Sequence, residues 1–112
     1  MKIGEIHWVE LPDVGGREQS GRRPAIIMQT DSYAASLPTT VVIPLSSAMA
    51  ALRFPGTAQV KASESSGLRT DSIALVFQIR AIDRGRVKDI IGVVSVSELS
   101  EIRSELAKLF GS

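Results

Sequence analysis

A chain of 112 residues that is 44% apolar is long enough for one core and too apolar to be disordered. The absence of cysteine excludes disulfides, thiolate nucleophiles and Cys-ligated zinc. A formal charge of +1 gives no bulk attraction to nucleic acid, so any such binding must come from where the charges sit.

The whole of 1–112 reads as a single domain. The first element is a strand over residues 3–11, IGEIHWVEL, with Ile6 and Trp8 on one face and His7, Val9 and Leu11 on the other. Both faces are partly apolar, so the strand should be covered on both sides. Pro, Asp and Gly make residues 12–22 a long loop, and a second strand is expected after Pro24, in AIIMQT. DSYAASLPT reads as a turn, and TTVVIPLS as a third strand in which Pro44 argues for an edge or a bulge. TAQVK is a short strand, SESSGLRTD a turn, and SIALVFQI a buried strand. AIDRGR is a tight turn or a single helical turn, and VKDIIGVVS a last strand bulged at Gly92.

The period then changes. Leu99, Ile102, Leu106 and Leu109 share one helical face, Ser95 with Glu98 forms a capping box, and Gly111 stands at the C′ position. Five or six short strands and one C-terminal helix describe a mainly β fold, a small curled sheet or barrel with a helix packed on it.

The chemistry is concentrated in arginine. Nine of the thirteen basic residues are Arg, clustered at Arg17, Arg22, Arg23 and again at Arg80, Arg84, Arg86. Arginine suits planar, bidentate recognition of phosphate, although the second cluster also reads as a solvated turn. A lone histidine, His7, rules out a His pair and reads as structural, and Trp8 reads as core or interface. No nucleophile elbow or Walker loop is present, and no metal or other cofactor is expected. Arginines and hydroxyls suffice for RNA cleavage, because RNA supplies its own nucleophile in the 2′-OH. No apolar run could span a bilayer and the N-terminus has no signal-peptide core, so a cytoplasmic protein with no membrane partner is expected.

Residues 16–24, GREQSGRRP, resemble the signature of the MazF/PemK toxin endoribonucleases of toxin–antitoxin systems. GEIHWVEL, VVIPLS and GLRTDSIALVFQIRAID are similar to three further blocks of that family, in order and spacing. The resemblance implies an SH3-like curled β-barrel of the PemK/CcdB kind. It implies a homodimer and an antitoxin whose acidic C-terminal segment occupies the RNA groove. It also implies metal-independent, sequence-specific cleavage of single-stranded RNA, leaving 2′,3′-cyclic phosphate and 5′-OH ends. By the same resemblance Arg23, Ser46 and Glu18 are the catalytic residues. Arg17, Gln19, Arg22, Gln78, Arg80, Arg84 and Arg86 are the RNA-binding ones. Phe77 departs from the pattern, standing where many members carry an acid, which leaves Glu18 as the proton acceptor. The alternative is a family member that binds RNA or antitoxin and cleaves weakly or not at all. Arg22 and Arg23, adjacent in the chain, are expected to point to opposite sides.

Overall fold

The computed structural model describes residues 1–112 and contains seven strands and two helices. The strands are β1 (Glu5–Leu11), β2 (Gly21–Ile27), β3 (Thr39–Ser46), β4 (Thr57–Val60), β5 (Ser72–Leu75), β6 (Arg80–Asp83) and β7 (Val87–Val93). The helices are α1 (Asp31–Ala34) and α2 (Val96–Leu109). The strands run β4-β5-β3-β2-β1-β7, with β6 also pairing β3, and every pairing is antiparallel. No pairing joins β7 to β4 or β6, so the curled sheet does not close into a complete barrel. The mainly β reading with a C-terminal helix holds.

The sheet is covered on both faces, as the mixed pattern of β1 requires. Ile6, Ile26, Ile43, Leu45, Val60 and Val76 form one core with Ile102 of α2. Val9, Leu11, Ala25, Ile27, Val42 and Ile82 form a second on the other side. Alternation along β1 and β2 sends even positions to the first core and odd positions to the second.

β3 is not an edge. It pairs β6 through Thr39–Val42 and β5 through Leu45 and Ser46, leaving Ile43 and Pro44 in the gap between the two partners. Pro44 is tolerated there because that gap asks for no ladder donor. The same change of partner breaks SIALVFQI, expected as one strand. β5 stops at Leu75, a 3-10 turn spans Val76–Gln78, and β6 begins at Arg80 in the lane beside the other half of β3. The sequence hides the break because Val76 is fully buried within the turn. AIDRGR, expected as a turn, is therefore strand β6 followed by a 3-10 turn over Arg84–Arg86.

Other boundaries move less. β2 starts at Gly21 and ends at Ile27, placing Arg22 and Arg23 inside the strand and leaving Met28–Thr30 outside it. The stretch after it holds the one-turn helix α1, whose last carbonyls, those of Ala34 and Ala35, accept from the Arg84 guanidinium at 3.1 and 3.2 Å. The capping box of α2 is present, with Glu98 N–H donating to Ser95 Oγ and Ser95 N–H to the Glu98 carboxylate. At the other end Ser112 N–H reaches the Ala107 carbonyl and Gly111 N–H that of Lys108, a Schellman motif with Gly111 at φ +81°. Leu99, Ile102 and Leu106 pack on the core, but Leu109 overruns the sheet and is 44% exposed.

β7 is bulged, as Gly92 suggested. Ile6 faces Gly92 while His7 faces Ile90, so Ile91 is extra. A second irregularity sets Lys88 and Asp89 against Trp8 alone. The 61–70 loop crosses the strand at Gly92, where a Cβ would collide with the Ser65 and Ser66 carbonyls. Gly92→Ala is expected to destabilise the protein by about 1–3 kcal/mol, because backbone rather than a flexible side chain must move. Chemical denaturation of the variant checks this, and an unchanged midpoint would show that the crossing is loose.

Candidate nucleic-acid interface

The β2–β3 pairing ends with Ala25 opposite Pro44, and Arg23 and Ser46 lie on the same two strands just beyond that last pair. Both residues border an open cavity of about 730 Å³, together with Trp8, Arg22, Ser47, Arg69, Thr70 and Asp89. Ser46 Oγ accepts from the Ala48 N–H at 3.1 Å. A hydroxyl has one proton to give, so this bond leaves the Ser46 O–H free to donate outward. Arg23 Nε donates to the Ser20 carbonyl at 3.2 Å, which steadies the side chain and leaves the two terminal nitrogens of its fork open.

Arg22 lies with its guanidinium carbon 4.9 Å from the centre of the Trp8 ring. Arg22 and Arg23 alternate along β2, as expected, but both reach the same cavity. They stand at the strand's first residues, where long side chains come round from either side of the sheet end. Trp8 lines the cavity and is only partly buried, rather than lying in the core.

The remaining residues implied by the resemblance do other things. Gln78 Oε1 accepts from the Gln19 N–H at 2.9 Å. Arg80 donates to the carbonyls of Gln19 and Pro12 at 3.0 and 3.3 Å. Gln78 and Arg80 thus staple the 12–20 loop to β6, and Gln19 is held by them. Arg17, Glu18 and Arg86 are exposed, and Glu18 forms no ion pair with Arg17, Arg22 or Arg80. Glu18 also stands outside the residues that line the cavity. The Phe77 ring turns away to meet Phe54 edge-on at 5.8 Å. Arg69, Thr70 and Asp89 escaped the sequence reading. They sit 45 residues or more from the Arg–Pro loop, and only the sheet order brings them to it.

His7 is structural, and the structure shows what it holds. Its Nδ1 donates to the Lys88 carbonyl at 2.8 Å and its Nε2 lies 2.8 Å from the Glu5 carboxylate. It therefore ties the bulge of β7 to β1, next to Asp89. The hydrogen bond from His7 holds the Glu5 carboxyl below its usual 4.5, against an upward push from burial.

An arginine-lined cleft on a curled antiparallel sheet defines a small polyanion-binding domain. The chain belongs to a family of that build. A family model described as PemK-like, MazF-like toxin of type II toxin–antitoxin system matches residues 2–110. An endoribonuclease MazF from Staphylococcus saprophyticus is 28% identical over 106 residues, covering 95% of this chain and 88% of that protein. The crystal structure of MazF from Deinococcus radiodurans superposes with a TM-score of 0.85 at 24% identity, covering 100% of this chain and 97% of that one. A MazE–MazF structure from the same organism gives 0.75 at 24% identity, covering 99% and 96%. The resemblance read from GREQSGRRP is thus borne out, and so is the fold it implied.

A carboxyl whose folded-state pKa is depressed adds stability above its unfolded pKa and loses it as pH falls through the folded one. Glu5→Gln should therefore lower stability by about 1 kcal/mol above pH ~5, the charged bond being partly screened at an incompletely buried site. The gap to the parent should close as pH falls below the ordinary 4.5 and through the lowered folded-state value. Urea titrations from pH 3 to 7 measure it, and a gap independent of pH would remove Glu5 from the acid response.

Proposed function

We propose that the chain is the toxin of a type II toxin–antitoxin pair and cleaves single-stranded RNA in the cavity that Arg23 and Ser46 both line. The observation that carries this reading is that Arg23 and Ser46, on two neighbouring strands, line one cleft that also holds Arg22 and Arg69. The 2′-OH of the RNA attacks the adjacent phosphorus, the P–O5′ bond breaks, and a 2′,3′-cyclic phosphate and a 5′-OH result. Arg23 offers its fork to the phosphoryl oxygens as negative charge builds, and Ser46 donates one hydrogen bond to them. The 2′-OH proton must leave, and the 5′ oxygen must gain one. Glu18 is the acceptor implied by the family pattern, and it can serve only with the RNA drawn across from the cavity to the stapled 12–20 loop.

A second reading is favoured by that placement: with Glu18 outside the cavity and Phe77 packed on Phe54, the chain binds RNA and cuts it slowly. The likeness to a MazE–MazF structure supports an antitoxin partner. Its acidic segment would compete with RNA for Arg22, Arg23 and Arg69. The exposed apolar side chains of Phe54, Phe77, Leu109 and Phe110 support a covered face and hence the homodimer. No helix is long and apolar enough to cross a membrane, and we place the protein in the cytoplasm with its RNA.

Arg23→Ala should reduce single-turnover cleavage about 10²–10³-fold with an unchanged melting temperature, and Arg23→Lys should recover little. Arg22→Ala should act chiefly through KM, because it takes the cationic surface off Trp8. Cutting within a few-fold of the parent by Arg23→Ala would remove the catalytic assignment.

Cleavage should persist in EDTA and stop when the scissile 2′-OH is replaced by 2′-H. Mapping of 5′-OH ends reads both. Activity lost on chelation and restored by magnesium would overturn the mechanism.

A further inference from the structure

One feature of the cleft is out of place in a site for a polyanion. Asp89 lines it, is exposed, and forms no ion pair with Arg22, Arg23 or Arg69. An unneutralised carboxylate repels phosphates, so it weakens backbone binding wherever the chain of phosphates passes. It also does not reach the scissile group. Ser46 is on β3 and Asp89 on β7, three strand spacings away in the order β3-β2-β1-β7, about 14 Å at ordinary inter-strand distance.

The placement of Asp89 is built rather than incidental. Lys88 and Asp89 together face Trp8 across the irregular β1–β7 pairing. The Lys88 carbonyl accepts from His7 Nδ1, and His7 is anchored to Glu5. A bulge re-aims a side chain, and this one puts a carboxylate beside the Trp8 ring and its Arg22 cover. A flat cationic surface next to a hydrogen-bond acceptor is the chemistry that receives an unstacked nucleobase: the base lies on the guanidinium and presents its edge to the carboxylate. Ionised Asp has only acceptors, so it needs donors in return. Uracil, cytosine and adenine each offer one donor group on the Watson–Crick edge. Guanine offers two adjacent ones, N1–H and the N2 amino group, matching both oxygens of a carboxylate.

We propose that Trp8, Arg22 and Asp89 form a base-reading subsite that selects guanine in the RNA, one or two nucleotides from the bond held by Arg23 and Ser46. The subsite rests on the reading of this cleft as an RNA site, but not on cleavage. Phosphate contacts from the arginines hold the strand without reading it, and Asp89 supplies discrimination.

The test uses the full chain and uncleavable 2′-O-methyl oligonucleotides of one length, varied base by base around a central step. At one fixed position, guanine should bind the parent about tenfold or more tighter than the other three bases. Asp89→Asn should erase that preference while keeping or raising affinity for the other three, since it removes a repulsive charge. Trp8→Phe should retain it, and Trp8→Ala should weaken all sequences together. Thermal melts of each variant report folding, and Asp89→Asn, at an exposed position, should melt as the parent does. Guanine preference with these oligonucleotides, but no cutting of the unmodified RNA of the same sequence, would sink the nuclease reading and leave the subsite standing. Cleavage or binding with no guanine preference at any position would overturn the subsite alone. A preference unchanged in Asp89→Asn would overturn it too, and an absence of binding to every oligonucleotide would overturn both.

Discussion

The structure depends on β3 being shared by three strands. One side pairs β2, whose Arg23 lines the cleft together with Ser46 of β3. The other side is divided between β6 and β5, with Ile43 and Pro44 at the changeover. That division forces the 3-10 turn at Val76–Gln78, since the chain must step from one lane to the other. The step in turn carries Gln78 and Arg80 under the 12–20 loop, where they hold it by its backbone. One topological constraint thus puts the strand of Ser46 beside the strand of Arg23 and fixes the loop that precedes Arg23.

The electrostatics are economical for a chain of net charge +1. The arginines divide between structural duty and the cleft. Arg80 and Arg84 are occupied by main-chain carbonyls, Arg80 stapling a loop and Arg84 finishing the one-turn helix. Arg22, Arg23 and Arg69 are left at the cleft. Positive charge is thus gathered by three guanidinium groups in one concave site rather than spread over the field of the whole molecule.

On the far side of β1 from β2, the β7 bulge shapes the other wall of the cleft. Glu5, His7 and the Lys88 carbonyl form a short chain of hydrogen bonds that locks the irregular register. His7 is structural, yet it acts on the site by position, because the residue next to Lys88 is Asp89.

The sequence by itself determined a good deal. Alternation in β1 required two cores, the period-3.6 stripe and capping box required α2, and GREQSGRRP identified the family, because each depends on residues close in the chain. The interest of Arg23 and Ser46 was legible only through the family pattern. Three things were decided by tertiary structure. The break in SIALVFQI is invisible to hydropathy, since a buried turn is as apolar as a buried strand. The duties of Gln78 and Arg80 depend on a loop about sixty residues away. The convergence of Trp8, Arg69 and Asp89 depends on strand order, and local spacing carries no information about which strands become neighbours.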